Sequence, residues 1–385
     1  MLDTVWSRTL SSAERETLNA SDSLPRRAEV VIIGAGLVGL SSAYALVESG
    51  LTNVCIVDRS GPAAEASGAN AGGLWFAQQS PELAPIAELA KLSNRLYDEL
   101  GQRFECELAR RGGLDLVYGP NGDAEAAERV SHIAAAGYRG EVVERKRIRE
   151  VEPELSVEAS AVLLPEDGQV HPVRLAAALA GYVRQNGVRI CRGVDVHALG
   201  KPLETSAGAL HADRVVIAAG AWTPLLTAAL GWKPPIEPVR GTLLALPKAP
   251  RRIHHTVMAE RYYYWQLECG PIVGGGSEER VGFEPGSPSE VLQDIRAEMG
   301  AHFPALAHQP TEVAWYGFRP YCADHRPVIG AAPGSEDLFV AAGHFRKGVM
   351  LAPASGQVVA DLLLGRAPRA DISTLDPGRF VTSPA

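Results

Sequence analysis

The chain has 385 residues, 46% hydrophobic and 21% charged, a globular mixture long enough to bury a large core and divide into two domains. Its 37 Lys and Arg are outnumbered by 45 Asp and Glu, and the formal net charge of -8 with no long basic run excludes a nucleic-acid footprint, leaving small molecules as partners. Five cysteines, at positions 55, 106, 191, 269 and 322, are scattered and form no CxxC pair, which excludes a disulfide framework and a cysteine zinc site and fits a reducing cytoplasm.

Residues 1–27 are polar and Ser-rich and read as an extension or surface segment; without an apolar core they are no signal peptide, and Arg26-Arg27 is no export signal, because the apolar run behind it is broken by glycines. No run approaches the roughly 18 apolar residues of a membrane helix, so a soluble protein is expected. Residues 29–33, Glu-Val-Val-Ile-Ile, form a β-branched run that predicts a buried parallel strand, and Ser41 to Glu48 predict a helix. Between them Gly34-Ala35-Gly36-Leu37-Val38-Gly39 is a GxGxxG turn. In such a turn Gly34 permits the tight bend, Gly36 lets the backbone approach a pyrophosphate, and Gly39 lets helix and strand pack closely, with the amides at Leu37 and Val38 at the helix N-terminus. Val54 to Asp58 predict a second strand whose terminal Asp58, followed by Arg59, stands where a ribose-binding acid belongs. The fingerprint by itself serves NAD and FAD alike.

Further along, Ala66 to Leu74 is rich in small residues, as needed where main chain passes close to a flat ring. Trp75 and Gln78 follow it, as pocket or as core. Gly112 to Tyr118 alternate like a strand, Gly193 to Val196 predict a short strand, and Arg214 to Trp222 predict a buried strand ending in the turn Ala219-Gly220. Pro234-Pro235, near Val239-Arg240-Gly241, mark a crossing between domains. His254 and His255 are adjacent, so on a strand they point to opposite faces and chelate no common metal; no metal is implied. Tyr262 to Gly275 alternate again, with Tyr263 on the face opposite Tyr262 and Tyr264, and Ser287 to Ala305 predict a helix.

The C-terminal third carries Gly317-Phe318-Arg319-Pro320, Asp324-His325-Arg326-Pro327-Val328-Ile329-Gly330 and Ala341-Ala342-Gly343-His344-Phe345-Arg346-Lys347-Gly348. With the glycine fingerprint, these motifs resemble the D-amino acid oxidase superfamily of flavoenzymes, and within it the glycine oxidase and sarcosine oxidase branch. The resemblance covers residues from about 28 to about 370. It implies an α/β fold: a Rossmann-type FAD-binding domain from 28–110, 160–238 and 315–370, and a discontinuous antiparallel-sheet substrate domain from 111–159 and 239–314, with a tail at 371–385. It implies FAD contacts from the fingerprint residues, Asp58 and Arg59, from Ser67, Asn70, Ala71, Gly72, Gly73 and Leu74 under the flavin ring, and from Val196 at the adenine. Ala219, Gly220 and Trp222, and Gly343, Arg346, Lys347, Gly348 and Val349 complete the set.

The same resemblance places Arg319 as a clamp on a substrate carboxylate, Arg346 beside the site and the hydroxyl of Tyr263 within reach of that carboxylate. A guanidinium suits the task, since its planar fork matches two carboxylate oxygens. The alternatives are a domain-bridging ion pair for Arg319, a bracing role for Arg346 and cross-strand aromatic packing for Tyr263. Lys347 stands where asparagine or histidine is common, and Gln266 where many relatives have proline. Cys322 does not align with the cysteine that holds flavin covalently in some sarcosine oxidases, a position nearer Gly317, so non-covalent FAD is expected. The chemistry implied is oxidation of a small amino acid to an imine, with oxygen or a redox partner as acceptor. A flavin subunit of a proline, hydroxyproline or opine dehydrogenase and a non-catalytic FAD scaffold are the alternatives; homo-oligomer and hetero-oligomer both stay open.

Overall fold

The computed structural model describes residues 2–381 and contains two large sheets that face each other across a cleft. The first is parallel at its centre: Leu338–Ala342, Gly208–Ile217, Arg27–Ile33, Val54–Asp58 and Arg189–Arg192 lie side by side, and Val328–Ala331 adds an antiparallel edge. Val30, Val31 and Ile32 are wholly buried, as a central strand covered on both faces requires. Helices Leu37–Glu48 and Gly348–Leu363 pack on one face so closely that a Cβ at Gly356 would strike the backbone of Ser41. The second sheet is mostly antiparallel and runs Val313–Cys322, Ile236–Leu246, Ile272–Gly275, Tyr263–Gln266, Thr256–Met258, Gly113–Val117, Ser160–Leu164 and Glu141–Val143. Among the described residues no helix is long and apolar enough to cross a membrane.

Several elements differ from their sequence expectation. The first helix starts at Leu37, four residues before Ser41, because Gly36 is its N-cap and the fingerprint forms its first turn. The helix expected at 287–305 is Ser289–His302, and the run 262–275 is two strands, Tyr263–Gln266 and Ile272–Gly275, around a turn. Gln266 keeps its strand position and uses its amide to anchor the loop before it: its oxygen accepts from Arg252 N (2.7 Å) and its nitrogen donates to Ala249 O (2.9 Å). His254 and His255 precede the strand and converge on the buried carboxylate of Glu152, at 3.2 and 3.1 Å, where opposite faces were expected. Strand Ser160–Leu164, at the start of the 160–238 segment expected in the FAD-binding domain, pairs with Gly113–Val117 in the second sheet. Strand Val313–Cys322 likewise pairs along its whole length with 236–245.

The N-terminal segment is no surface extension. Val5–Arg8 and Ser12–Asn19 are helices, each closed by a capping box, from Thr4 and Ser11. Trp6 is 1% exposed and donates its indole N–H to Asn70 O (2.8 Å). At the other end Leu375 is buried, and Arg379 donates to Asp324 Oδ2 (2.9 Å) and Pro327 O (2.9 Å), so the segment after 370 is pinned to the first sheet up to the last described residue. Residues 1 and 382–385 of the expected termini lie outside the described residues.

Candidate active site

The cleft between the sheets has a volume of about 1210 Å³, the scale of a large cofactor plus a small substrate. One wall is the fingerprint. Gly34 has φ +114°, and a Cβ there would collide with the carbonyl of Ala218. A Cβ at Gly39 would strike Gly34 O, so these two glycines are what let helix and strand close on each other. The N-cap Gly36 has no side chain to cap helix Leu37–Glu48; Leu37 N donates to Ser67 Oγ (2.9 Å), and Val38 of the first turn lines the cleft. Asp58 ends its strand with both oxygens engaged: Oδ2 accepts from Ala35 N (2.8 Å), Oδ1 from Ser60 N (2.8 Å) and Gly61 N (2.6 Å). It therefore ties the end of the second strand to the glycine turn and keeps one lone-pair direction for a ligand.

The small-residue segment after it is fixed by two indoles that sequence reasoning missed. Trp6 donates to Asn70 O, and Trp315 donates to Ala69 O (3.0 Å). Asn70 folds its own side chain back, accepting from Gly72 N (2.6 Å) and donating to Ser67 O (2.5 Å). Tryptophans sixty and more residues away give no local sequence signal for this bracing.

At the inner end of the cleft stand Arg319, Tyr263 and Trp75. The guanidinium of Arg319 lies against Gly241, where any Cβ would run into it, and donates to Ser277 O (2.5 Å). It has no carboxylate partner among the described residues, so no domain-bridging ion pair is present. Gly276, at φ +109°, leaves room for the ring of Tyr263, which packs edge-on against Trp75 at 4.8 Å. Tyr262 and Tyr264 turn to the other face, hydrogen bonding to Asp294 (2.8 Å) and Glu298 (3.1 Å). Arg346 is at the rim and exposed, held by Glu82 (3.4 Å) and Glu278 (3.2 Å). Lys347 is 1% exposed and donates to Glu82 Oε2 (2.8 Å). Its cation thus points neither to solvent nor into the cleft. His344 is buried, and burial lowers its pKa to about 4, so the ring is neutral as it meets Ser355 Oγ (2.9 Å).

Of the residues singled out from sequence, Gly34, Gly36, Val38, Asp58, Arg59, Ser67, Asn70, Ala71, Gly72, Gly73, Val196, Ala219, Gly220, Trp222, Arg346, Gly348 and Val349 line the cleft with Tyr263 and Arg319. Leu37, Gly39, Leu74, Gly343 and Lys347 do not; they stand behind the lining as packing or backbone support. Glu82, Glu278, Ser277 and Asp167 were not anticipated. Asp167 is wholly buried and accepts from Ala77 N (2.8 Å) and Gln78 N (3.1 Å), which fixes the wall that carries Trp75. Burial raises its pKa to about 7.

The family described as DAO, FAD dependent oxidoreductase, matches residues 29–362. The hydrogen cyanide synthase subunit HcnC of Pseudomonas aeruginosa is 29% identical, covering 94% of this chain and 98% of its own. The crystal structure of glycine oxidase from Geobacillus kaustophilus superposes with a TM-score of 0.86 at 26% identity, over 93% of this chain and 100% of that one. The L-proline dehydrogenase of P. horikoshii superposes with a TM-score of 0.85 at 25% identity, over 93% and 98%.

Proposed function

The chain belongs to the DAO family of FAD-dependent oxidoreductases, and from that premise we propose that it oxidises the C–N bond of a small amino acid to an imine that water hydrolyses. The flavin, when bound, supplies the hydride acceptor. The residues present fit such a cofactor: a helix N-terminus that begins at a glycine and the glycine cradle for its pyrophosphate, Asp58 with a spare lone pair for its ribose, and the braced small-residue segment 66–74 for its ring. We assign the parallel sheet to the cofactor and the antiparallel sheet, with its Arg319 and Tyr263, to the substrate.

The observation that carries the reading is the guanidinium of Arg319, free of any carboxylate among the described residues and lining the cleft with Tyr263 and Trp75. A planar fork in that position binds an α-carboxylate through two charge-assisted hydrogen bonds and orients the carbon that carries nitrogen. Trp75 and Tyr263, packed edge to face, exclude water around that carbon. A cofactor-binding scaffold without turnover has no use for such a charge. Anaerobic mixing of the yellow protein with glycine, sarcosine and a panel of D- and L-amino acids tests this: bleaching of the flavin by at least one of them is expected, and a flavin that none of them bleaches overturns the reading.

The similarity to a hydrogen cyanide synthase subunit favours one second reading, in which electrons leave to a partner protein and not to oxygen. Fast bleaching combined with negligible oxygen uptake, rescued by an artificial dye acceptor, would select it. The five cysteines, all free, support a reducing compartment such as the cytoplasm.

A further inference from the structure

We propose that the cleft admits amino acids bearing a single carboxylate and rejects those bearing a second, and that the carboxylates paired to its other guanidiniums enforce the choice. The inference rests on the amino-acid reading above and adds the substrate class. Five arginines line the cleft. Four are already neutralised: Arg59 by Glu65 (2.9 Å), Arg129 by Asp115 (3.0 Å) and Glu125 (2.6 Å), Arg261 by Asp294, and Arg346 by Glu82 (3.4 Å) and Glu278 (3.2 Å). Among the described residues Arg319 alone of the five has no carboxylate partner; it donates to the carbonyl of Ser277. One carboxylate of a substrate therefore finds a free partner. A second one finds only guanidiniums whose charge is already balanced, and reaching any of them means approaching the carboxylate that balances it, a like charge in a partly dry site.

The direction in which a substrate extends from Arg319 sharpens this. Across the second sheet Tyr263 pairs with Met258 and Met258 with Asp115, and all three line the cleft. Two strand spacings put Asp115 roughly 10 Å from Tyr263, within reach of a long side chain or N-substituent. Asp115 gives Oδ2 to Arg129, and its Oδ1 carries no hydrogen bond among the described residues. Glu260, also lining the cleft and exposed, has no ion-pair partner there among the described residues. The far end of the cleft thus presents acceptors and negative charge, and suits a neutral or cationic terminus. Diacids of the iminodiacetate, aspartate, glutamate or opine type are the class it turns away.

Isosteric pairs isolate the charge. With the holoenzyme under anaerobic conditions, glutamine should bleach the flavin at least roughly tenfold faster per mole than glutamate, and asparagine faster than aspartate, in whichever enantiomer reacts. Succinamate against succinate, read from the shift in flavin absorbance, makes the same comparison for ligands that are not oxidised, and succinamate should bind the tighter by a similar factor. Glu278→Gln should narrow both gaps by up to about fivefold, because it removes one of the two carboxylates that balance Arg346 and leaves Glu82. Glu82 is not the variant of choice, since it also compensates the buried Lys347. Should Glu278→Gln melt early, Glu125→Gln, on an exposed helix face, serves in its place for Arg129. Equal handling of glutamate and glutamine, together with equal binding of succinate and succinamate, overturns this inference and leaves amino-acid oxidation standing. A flavin bleached by no amino acid removes the premise, and the inference falls with it.

Discussion

Arg319 reaches the cleft because two glycines give way to it: Gly241 lies beneath its guanidinium, and Gly276 keeps the neighbouring Tyr263 ring clear. Replacing it by lysine keeps the charge but removes the fork, so Arg319→Lys should raise the apparent KM of an amino acid by about tenfold to a hundredfold, the worth of one charge-assisted hydrogen bond. Thermal stability should hardly move, since no ion pair is broken. A carboxamide analogue should bind the variant and the parent equally; a variant that loses FAD and melts early would instead mark Arg319 as structural. Asp58 has a double role that the sequence did not reveal. It accepts three backbone amides, so Asp58→Ala should weaken FAD binding by more than the roughly tenfold of one lost contact, because the glycine turn loosens as well. Equilibrium dialysis against FAD measures the effect, and an unchanged affinity would place the ribose contact elsewhere.

The segments that carry these residues depend on elements distant in sequence. The small-residue segment 66–74 hangs on the indoles of Trp6 and Trp315. Trp6→Ala should cost about 3–5 kcal/mol, the usual range for removing a large buried aromatic, and should lower FAD occupancy in the folded fraction. Denaturant melts with flavin absorbance recorded on the same samples separate the two effects. The wall at Ala77 and Gln78 hangs on Asp167, whose pKa of about 7 stands well above the unfolded value near 3.9. The folded state therefore holds a proton more tightly than the unfolded state, so this group's contribution is fully present below about pH 4 and is lost as pH rises through about 7. The loss is on the order of 4 kcal/mol, about three pKa units at 1.36 kcal/mol each. Asp167→Asn should remove that slope, and stability measured from pH 4 to 8 should then fall less steeply than in the parent; an identical slope would rule out Asp167 as its source.

Taken whole, the molecule is two sheets sharing one cleft, and the placement of its thiols bears on how the cofactor is held. None of the five cysteines lines the cleft, and Cys322 is buried with its Sγ turned to Asp324 Oδ1 (3.3 Å). Acid precipitation should therefore release intact FAD into the supernatant, and flavin retained in the pellet would contradict non-covalent binding. The charge ledger is also a property of the whole: the carboxylates that neutralise the cleft arginines come from helices, loops and the strand Gly113–Val117, spread between Glu65 and Asp294.

The strand, glycine turn, helix and terminal acid at 27–58 were legible because each is a local pattern: β-branched residues, fixed glycine spacing and an acid at the strand end depend only on near neighbours. The motifs around Arg319 and Arg346 were equally legible, yet what those arginines touch was not. Arg346 is bound by Glu82 and Glu278, far apart in the chain, and among the described residues no carboxylate is folded against Arg319. The sheet membership of Ser160–Leu164, the burial of Trp6 and the raised pKa of Asp167 were likewise decided by partners far along the chain. A sequence determines which side chains can carry a charge or span a turn; only tertiary packing decides which charges are cancelled, and with them what the cleft can bind.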